Sequence, residues 1–138
     1  MQSTLLLRVA AVLSLLLGVG HTIGRPWIPV KDDPLASAVV VAMKAHQMHV
    51  MGFDRTFMDF YVGFGWMLSV YLFLQAVLLW MVAGLVRSEP GQARAMTAVF
   101  LAANLALTVI AGAYLFTAPL ILTAAVTLCL GGAVAAKR

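Results

Sequence analysis

Four long apolar stretches constrain the fold of this chain more than any other feature. They cover approximately residues 5–23, 57–86, 93–116 and 119–135, and each provides the run of about 20 apolar residues that a helical bilayer crossing needs. The composition agrees, because 63% of the 138 residues are hydrophobic and only 10% are charged. The sequence therefore predicts an all-α integral membrane four-helix bundle, with residues 1–138 as a single membrane domain.

The basic residues flank the apolar stretches and form no run that would track a nucleic acid. The net charge of +4 therefore indicates topology, with the lipid bilayer as the partner and no nucleic acid. One side of the bundle receives Arg8, Arg87, Arg94, Lys137 and Arg138, and the other receives Arg25, Lys31, Lys44 and Arg55. The first group lies close to span ends. The positive-inside rule thus places both termini in the cytoplasm.

The segment between the first two spans contains an additional predicted helix over residues 34–51. An aspartate, Asp32 or Asp33, precedes a proline at the start of this segment, as is typical of a capped helix with proline in its first turn. At 100° per residue the segment is amphipathic, with an apolar face and a polar one. The two histidines at His46 and His49 share the apolar face, where the helix would pack against its surroundings.

All three histidines are predicted to gather at the outward end of the bundle. His21 lies near the end of the first span, and Arg55 and Asp59 are one helical turn apart at the start of the second, where they can pair. The second span is long: Asp59 and Arg87 would be about 42 Å apart in a helix, against a hydrocarbon core of about 30 Å. The candidate ligand-binding residues are therefore His21, His46, His49, Arg55 and Asp59.

Three chemical interpretations of these polar residues remain open. His46 and His49, three residues apart, are candidate metal ligands that could offer two nitrogens to zinc, copper or iron, or bind a haem. The same residues could instead bond to one another inside a polar cap, or carry protons for a bound molecule. Spacing three without a glutamate is a weak metal signal, and no catalytic residue is assigned.

Two amides are expected inside the membrane. Gln75 and Asn104 fall in the middle of the second and third spans, where hydrogen bonds between helices contribute to packing. They are therefore predicted as interhelical polar contacts.

Nearly the whole chain also resembles a known family, most densely from His21 to Trp80. The runs GHTIGRPW and HQMHVMGFDRTFMDFYVGFGW are similar to those of small, uncharacterised bacterial four-span integral membrane proteins. The matching positions are Gly20, His21, Thr22, Gly52, Phe53, Arg55, Asp59, Phe60 and Tyr61. This resemblance implies four helices and a location in the bacterial inner (plasma) membrane, but no activity. Four-helix membrane proteins of the DoxX-like and sterol-isomerase-like groups offer a looser analogy of fold, which does not carry function.

Two functions follow as hypotheses. The first is a non-enzymatic structural or accessory subunit without a cofactor, which docks on membrane-protein partners in a respiratory, photosynthetic or transport complex. The second is a protein that binds an amphipathic ligand such as a quinone or lipid, a metal or a haem at the outward His, Asp and Arg residues. Isomerase-type chemistry would require an acid and a base to face one cavity there.

Overall fold

The computed structural model describes residues 1–24 and 33–136, which form five helices and one β-hairpin. The elements in chain order are α1 (Gln2–Gly24), α2 (Pro34–Ala45), β1 (Gln47–Val50), β2 (Phe53–Thr56), α3 (Phe57–Ser88), α4 (Pro90–Tyr114) and α5 (Thr117–Ala135). The predicted all-α four-helix bundle, with a shorter helix between the first two spans, is confirmed. Arg25, Lys31, Asp32, Lys137 and Arg138 lie outside the described residues.

Four helices, α1, α3, α4 and α5, are long and apolar enough to cross a membrane. The chain is thus a multi-pass membrane protein. Their bounds lie within a few residues of the predicted spans. α3 is the longest, with 32 residues, and at 1.5 Å per residue it extends about 48 Å, well beyond a hydrocarbon core of about 30 Å.

The chain divides into two compact units, Met1–Gly18 with Tyr71–Arg138 and Val19–Val70. We call them the bundle unit and the polar-end unit. The core of the bundle unit contains side chains from all four spans, namely Leu7, Ala10, Ala11, Leu79, Val82, Ala83, Ala93, Val126, Leu130 and Ala133. Many of these are alanines, and a Cβ on Gly132 would lie only 3.1 Å from Leu6 Cδ1. Small side chains therefore let the helices pack closely, as in other membrane bundles.

In the polar-end unit the predicted 34–51 helix is shorter than expected. Asp33 caps α2 as predicted, because its Oδ1 accepts from the backbone amides of Leu35 at 3.0 Å and Ala36 at 2.9 Å. The helix nevertheless ends at Ala45, and His46 is its C-cap residue. His46 and His49 therefore do not share a helical face.

An antiparallel hairpin occupies the rest of this segment. Strands β1 and β2 pair from Gln47 opposite Thr56 to Val50 opposite Phe53, which leaves a two-residue turn at Met51 and Gly52. Both turn residues have positive φ, 52° and 85°, as in the type I′ turn that matches the twist of paired strands. The glycine at the second turn position favours this hairpin over the predicted helix, because left-handed backbone suits glycine.

Candidate functional site

Three polar side chains lie together on the hairpin. His49 and Asp54 are cross-strand neighbours, and His49 Nδ1 lies 2.9 Å from Asp54 Oδ1. Arg55 Nη1 donates to the Asp54 carbonyl at 2.8 Å, and its guanidinium carbon lies 5.3 Å from the centre of the Phe53 ring. We call His49, Asp54 and Arg55 the hairpin cluster. The contact between His49 and Asp54 is strongly exposed, at 70% for His49 and 74% for Asp54, so it is available to a partner and contributes little to folding.

Asp59 has a structural role that differs from the predicted pair with Arg55. Its Oδ2 accepts from the Thr56 amide at 2.8 Å and from the Thr56 hydroxyl at 2.9 Å. The Thr56 hydroxyl in turn accepts from the Asp59 amide at 3.1 Å. This reciprocal arrangement is a capping box that starts α3. Thr56 is thus the hydrogen-bonding partner of Asp59, and Arg55 acts on the carboxylate only through its charge.

His21 belongs to a contact between α1 and α3. Its Nδ1 lies 3.1 Å from the hydroxyl of Ser69, and the neighbouring Thr22 hydroxyl donates to the same Ser69 oxygen at 2.9 Å. Ser69 is buried. Since it lies 12 residues after Phe57, about 18 Å of α3 precedes the point where the end of α1 is attached.

Of the five predicted site residues, His49 and Arg55 lie together in the hairpin cluster, whereas His21, His46 and Asp59 have other partners. His46 stacks on Phe57 with ring centres 5.2 Å apart, while His21 bonds to Ser69 and His49 to Asp54. In the part of the chain that the structure describes, no three His, Cys, Asp or Glu side chains form a group able to hold a metal ion. Each of the three histidines thus has a local contact of its own, and the metal or haem site stays a prediction.

The hairpin tip carries an exposed apolar surface. A shallow depression there is lined by Val50, Met51, Phe53, Arg55 and Phe60, which we call the tip surface. Met51 is 94% exposed and Phe53 61% exposed. Helix α2 also leaves its apolar side chains uncovered, because none of its residues is buried and Leu35 is 80% exposed. The residues that the structure describes therefore cover little of this region.

The bundle unit holds a second polar group, which we call the interior cluster: Ser14, Tyr71, Gln75 and Asn104. Gln75 Nε2 donates to the Ser14 hydroxyl at 2.9 Å and to Asn104 Oδ1 at 3.2 Å. Gln75 Oε1 accepts from Asn104 Nδ2 and from the Tyr71 hydroxyl, both at 3.1 Å. The two amides singled out in the sequence thus join α1, α3 and α4 through hydrogen bonds within the protein.

Several residues of these contacts carried little signal in the sequence. Ser14 and Ser69 are single hydroxyls in apolar runs, and only the fold shows which polar group each one faces. Thr56 is different, because the spacing Thr56-x-x-Asp59 is a recognisable helix-start pattern. That pattern could have identified the cap before the structure.

No protein-family model, curated protein or solved structure matches this chain. Function has to be inferred from the geometry described above.

Proposed function

We propose that this chain is a non-enzymatic structural or accessory subunit that docks on a larger membrane complex through its tip surface. The complex would be of the respiratory, photosynthetic or transport kind, in the bacterial inner membrane, with both termini of the chain in the cytoplasm and no nucleic-acid partner. Membership of the family of small bacterial four-span proteins is part of the same proposal.

The observation that carries the proposal is the exposed apolar tip on a two-stranded hairpin. A lone hairpin is only marginally stable in water, and here both strands are largely exposed. The left-handed Met51 at the turn adds strain that glycine or asparagine would avoid. An apolar side chain held in this conformation at an exposed tip favours a role in contact with another molecule.

Two features favour a protein partner over lipid for this surface. Hydrocarbon cannot satisfy the free backbone donors and acceptors along the edges of a two-stranded sheet. Water satisfies the edges but leaves Met51 and Phe53 in contact with solvent. A protein surface can add backbone hydrogen bonds at a strand edge and pockets for the apolar side chains, as in β-strand addition.

The aromatic start of α3 extends the same apolar region. Phe57, Phe60 and Phe64 are exposed, and they lie on the part of α3 that precedes the Ser69 attachment of α1. Because α3 is about 18 Å longer than a hydrocarbon core is thick, these turns suit contact with a partner at the membrane surface.

Local bonding of the polar residues supports a binding role over catalysis. A general acid or base must reach a substrate proton, whereas Asp59 is engaged in the helix cap and His49 is paired with Asp54. These bonds order the hairpin and the start of α3, and thereby present the tip surface.

Extraction of the full chain in a gentle detergent, followed by native electrophoresis, tests the proposal. We expect a stoichiometric complex larger than the chain or its homo-oligomer, and loss of this complex in Met51→Asn. Asparagine followed by Gly52 is a preferred type I′ pair, so this variant keeps the hairpin while it removes the apolar tip.

Leu128→Ala is the matched control, because Leu128 is also strongly exposed, at 76%, but lies within the α5 span. It should leave the complex intact. A chain that migrates only as a monomer or homo-oligomer contradicts the proposal, and so does a complex that Met51→Asn leaves unchanged.

The alternative function, a ligand site for a quinone, lipid, metal or haem at the polar end, stays a prediction. It requires the purified chain to carry a chromophore, a metal or a lipid that His46→Ala or His49→Ala removes. Visible spectroscopy, elemental analysis and lipid mass spectrometry measure these three ligand classes directly.

A further inference from the structure

A basic cleft lies in the bundle unit, where α1 and α4 begin and α3 and α5 end. Its volume is about 340 Å³, and its lining includes Thr4, Leu7, Arg87, Ala93 and Arg94. Among the residues that the structure describes, Arg87 and Arg94 are the charged side chains of this lining, and no aspartate or glutamate belongs to it. Both guanidinium-bearing residues are exposed, so they can reach a molecule at the mouth of the cleft.

An unpartnered hydroxyl marks the wall of the same cleft. Thr4 Oγ1 is buried and, among the described residues, is the one buried side-chain polar atom that has no hydrogen-bond partner. A buried polar group of this kind costs free energy unless another molecule satisfies it. By contrast, the nearby Thr97 hydroxyl donates to the Ala93 carbonyl at 2.7 Å. The unmet hydrogen-bonding capacity therefore belongs to Thr4 in particular.

The helix dipoles around the cleft offset one another, so the positive potential comes mainly from the arginines. The N-cap residue of α4, Glu89, makes no side-chain cap bond, and a helix N-terminus attracts anions. The ends of α3 and α5 contribute the opposite dipole, which offsets this effect. Arg87 and Arg94 therefore favour an anion in the cleft.

We propose that this cleft binds the phosphate group of an anionic membrane lipid, held by Arg87 and Arg94 and bonded to the Thr4 hydroxyl. Guanidinium groups form strong, charge-assisted bonds with phosphate oxygens. The apolar wall at Leu7 and Ala93 suits the part of a lipid next to its headgroup. The position at the ends of four spans matches the depth at which lipid phosphates lie. This inference does not depend on the proposed docking function.

Lipid titration of the purified full chain tests the proposal. Phosphatidylglycerol and phosphatidylcholine are added separately in detergent, and binding is followed by native mass spectrometry and by thermal unfolding. We expect tighter binding and greater thermal stabilisation with phosphatidylglycerol. The double variant Arg87→Gln/Arg94→Gln should weaken phosphatidylglycerol binding at least about tenfold, through the loss of its charge-assisted bonds.

Arg8→Gln is the matched control. It removes one positive charge from the same unit, but Arg8 lies over the Trp80 ring, 5.3 Å from its centre, and is not part of the cleft lining. It should retain wild-type lipid affinity. Thr4→Val should lower the affinity several-fold and raise the melting temperature of the lipid-free chain, because it removes the unpartnered hydroxyl.

Two results would overturn the proposal. Equal phosphatidylglycerol affinity in the wild type and in the double arginine variant would show that the cleft is not the site. Stabilisation by millimolar inorganic phosphate equal to that by phosphatidylglycerol, with displacement of the lipid, would assign the cleft to a soluble phosphate instead of a headgroup.

Discussion

The interior cluster and the hairpin cluster use similar polar chemistry for opposite purposes. In the interior cluster, Gln75 and Asn104 are 2% and 1% exposed. The bond from Gln75 to Ser14 joins residues 61 positions apart, and the bond to Asn104 joins residues 29 positions apart. In the hairpin cluster, His49 and Asp54 are five positions apart and largely exposed. The interior bonds hold helices together where no water can replace them, whereas the hairpin bonds shape a local surface that water already solvates.

The contribution of a polar contact to stability therefore depends on whether it is buried or exposed, and the number of contacts alone does not indicate it. A hydrogen bond between membrane helices contributes only about 0.6 kcal/mol on average, but a broken one leaves a polar group without a substitute partner. An exposed ion pair that is broken regains water on both sides. Mutations in the two clusters should therefore separate fold stability from surface function.

The largest effect is expected from Gln75→Leu. This change removes the residue that contacts Ser14, Tyr71 and Asn104 together, and it leaves Asn104 Oδ1 buried without its donor. We expect a loss of about 2 kcal/mol in unfolding free energy, measured by denaturation in mixed micelles. Val77→Ala, on an exposed position of the same helix, is the control. Equal destabilisation by both changes would remove the special status of the interior cluster.

A smaller effect, a coupling energy, is expected when Asn104 is changed together with Gln75. Asn104→Leu added to Gln75→Leu removes both members of the amide pair. Neither amide then remains buried without the partner that it has in the wild type. The double variant should be more stable than the sum of the single variants predicts, by about 1 kcal/mol. A double-mutant cycle in the same micelles measures this coupling. Strict additivity would mean that the two amides act independently.

A smaller effect again, of opposite sign, is expected at the hairpin tip. Met51→Asn replaces a residue with a φ of 52° by one that tolerates the left-handed region, and it should stabilise the hairpin locally by roughly 0.5–1 kcal/mol. Slower hydrogen exchange at the β1 and β2 amides, with an unchanged global melting temperature, would be the signature. Faster exchange in these strands would show that the Met51 side chain supports the hairpin.

The smallest global effect is expected from Asp59→Ala. Loss of the capping box should release the Thr56 amide and fray the first turn of α3, so hydrogen exchange should accelerate there. The melting temperature of the bundle should not change, because these bonds span only three residues and are exposed. Thr56→Ser, which keeps the hydroxyl, is the control. A fall in melting temperature comparable with that of Gln75→Leu would place Asp59 among the residues that hold the fold.

How well the sequence predicts a feature depends on how far apart in the chain the interacting residues lie. The four spans could be predicted because each depends on about 20 consecutive side chains that must all avoid water. The Asp33 cap was predictable for a similar reason, since it depends on residues within three positions. The structure of residues 46–56 could not be predicted, because their apolar spacing is compatible with both a helix and a strand. Two short strands form there only because they pair with each other.

The candidate site shows the same limit. Asp59 and Arg55 have the spacing of a helical ion pair, but strand β2 continues through Arg55 and α3 begins only at Phe57. The helical spacing therefore does not apply between them, and the Thr56 cap takes the carboxylate. His21 similarly bonds to Ser69, 48 positions away, which no local pattern indicates.

The sequence by itself determined that this chain is a membrane protein with four helical crossings, because lipid requires long apolar runs and satisfied backbone groups whatever their neighbours are. Only the tertiary structure decided what the polar residues do: that Gln75 and Asn104 join three helices, that the histidines take separate partners, and that Arg87 and Arg94 border one cleft with Thr4. The physical reason is that hydrogen bonds and ion pairs act over about 3 Å. Which groups come within that distance depends on how the helices pack, and side-chain identity alone does not specify it.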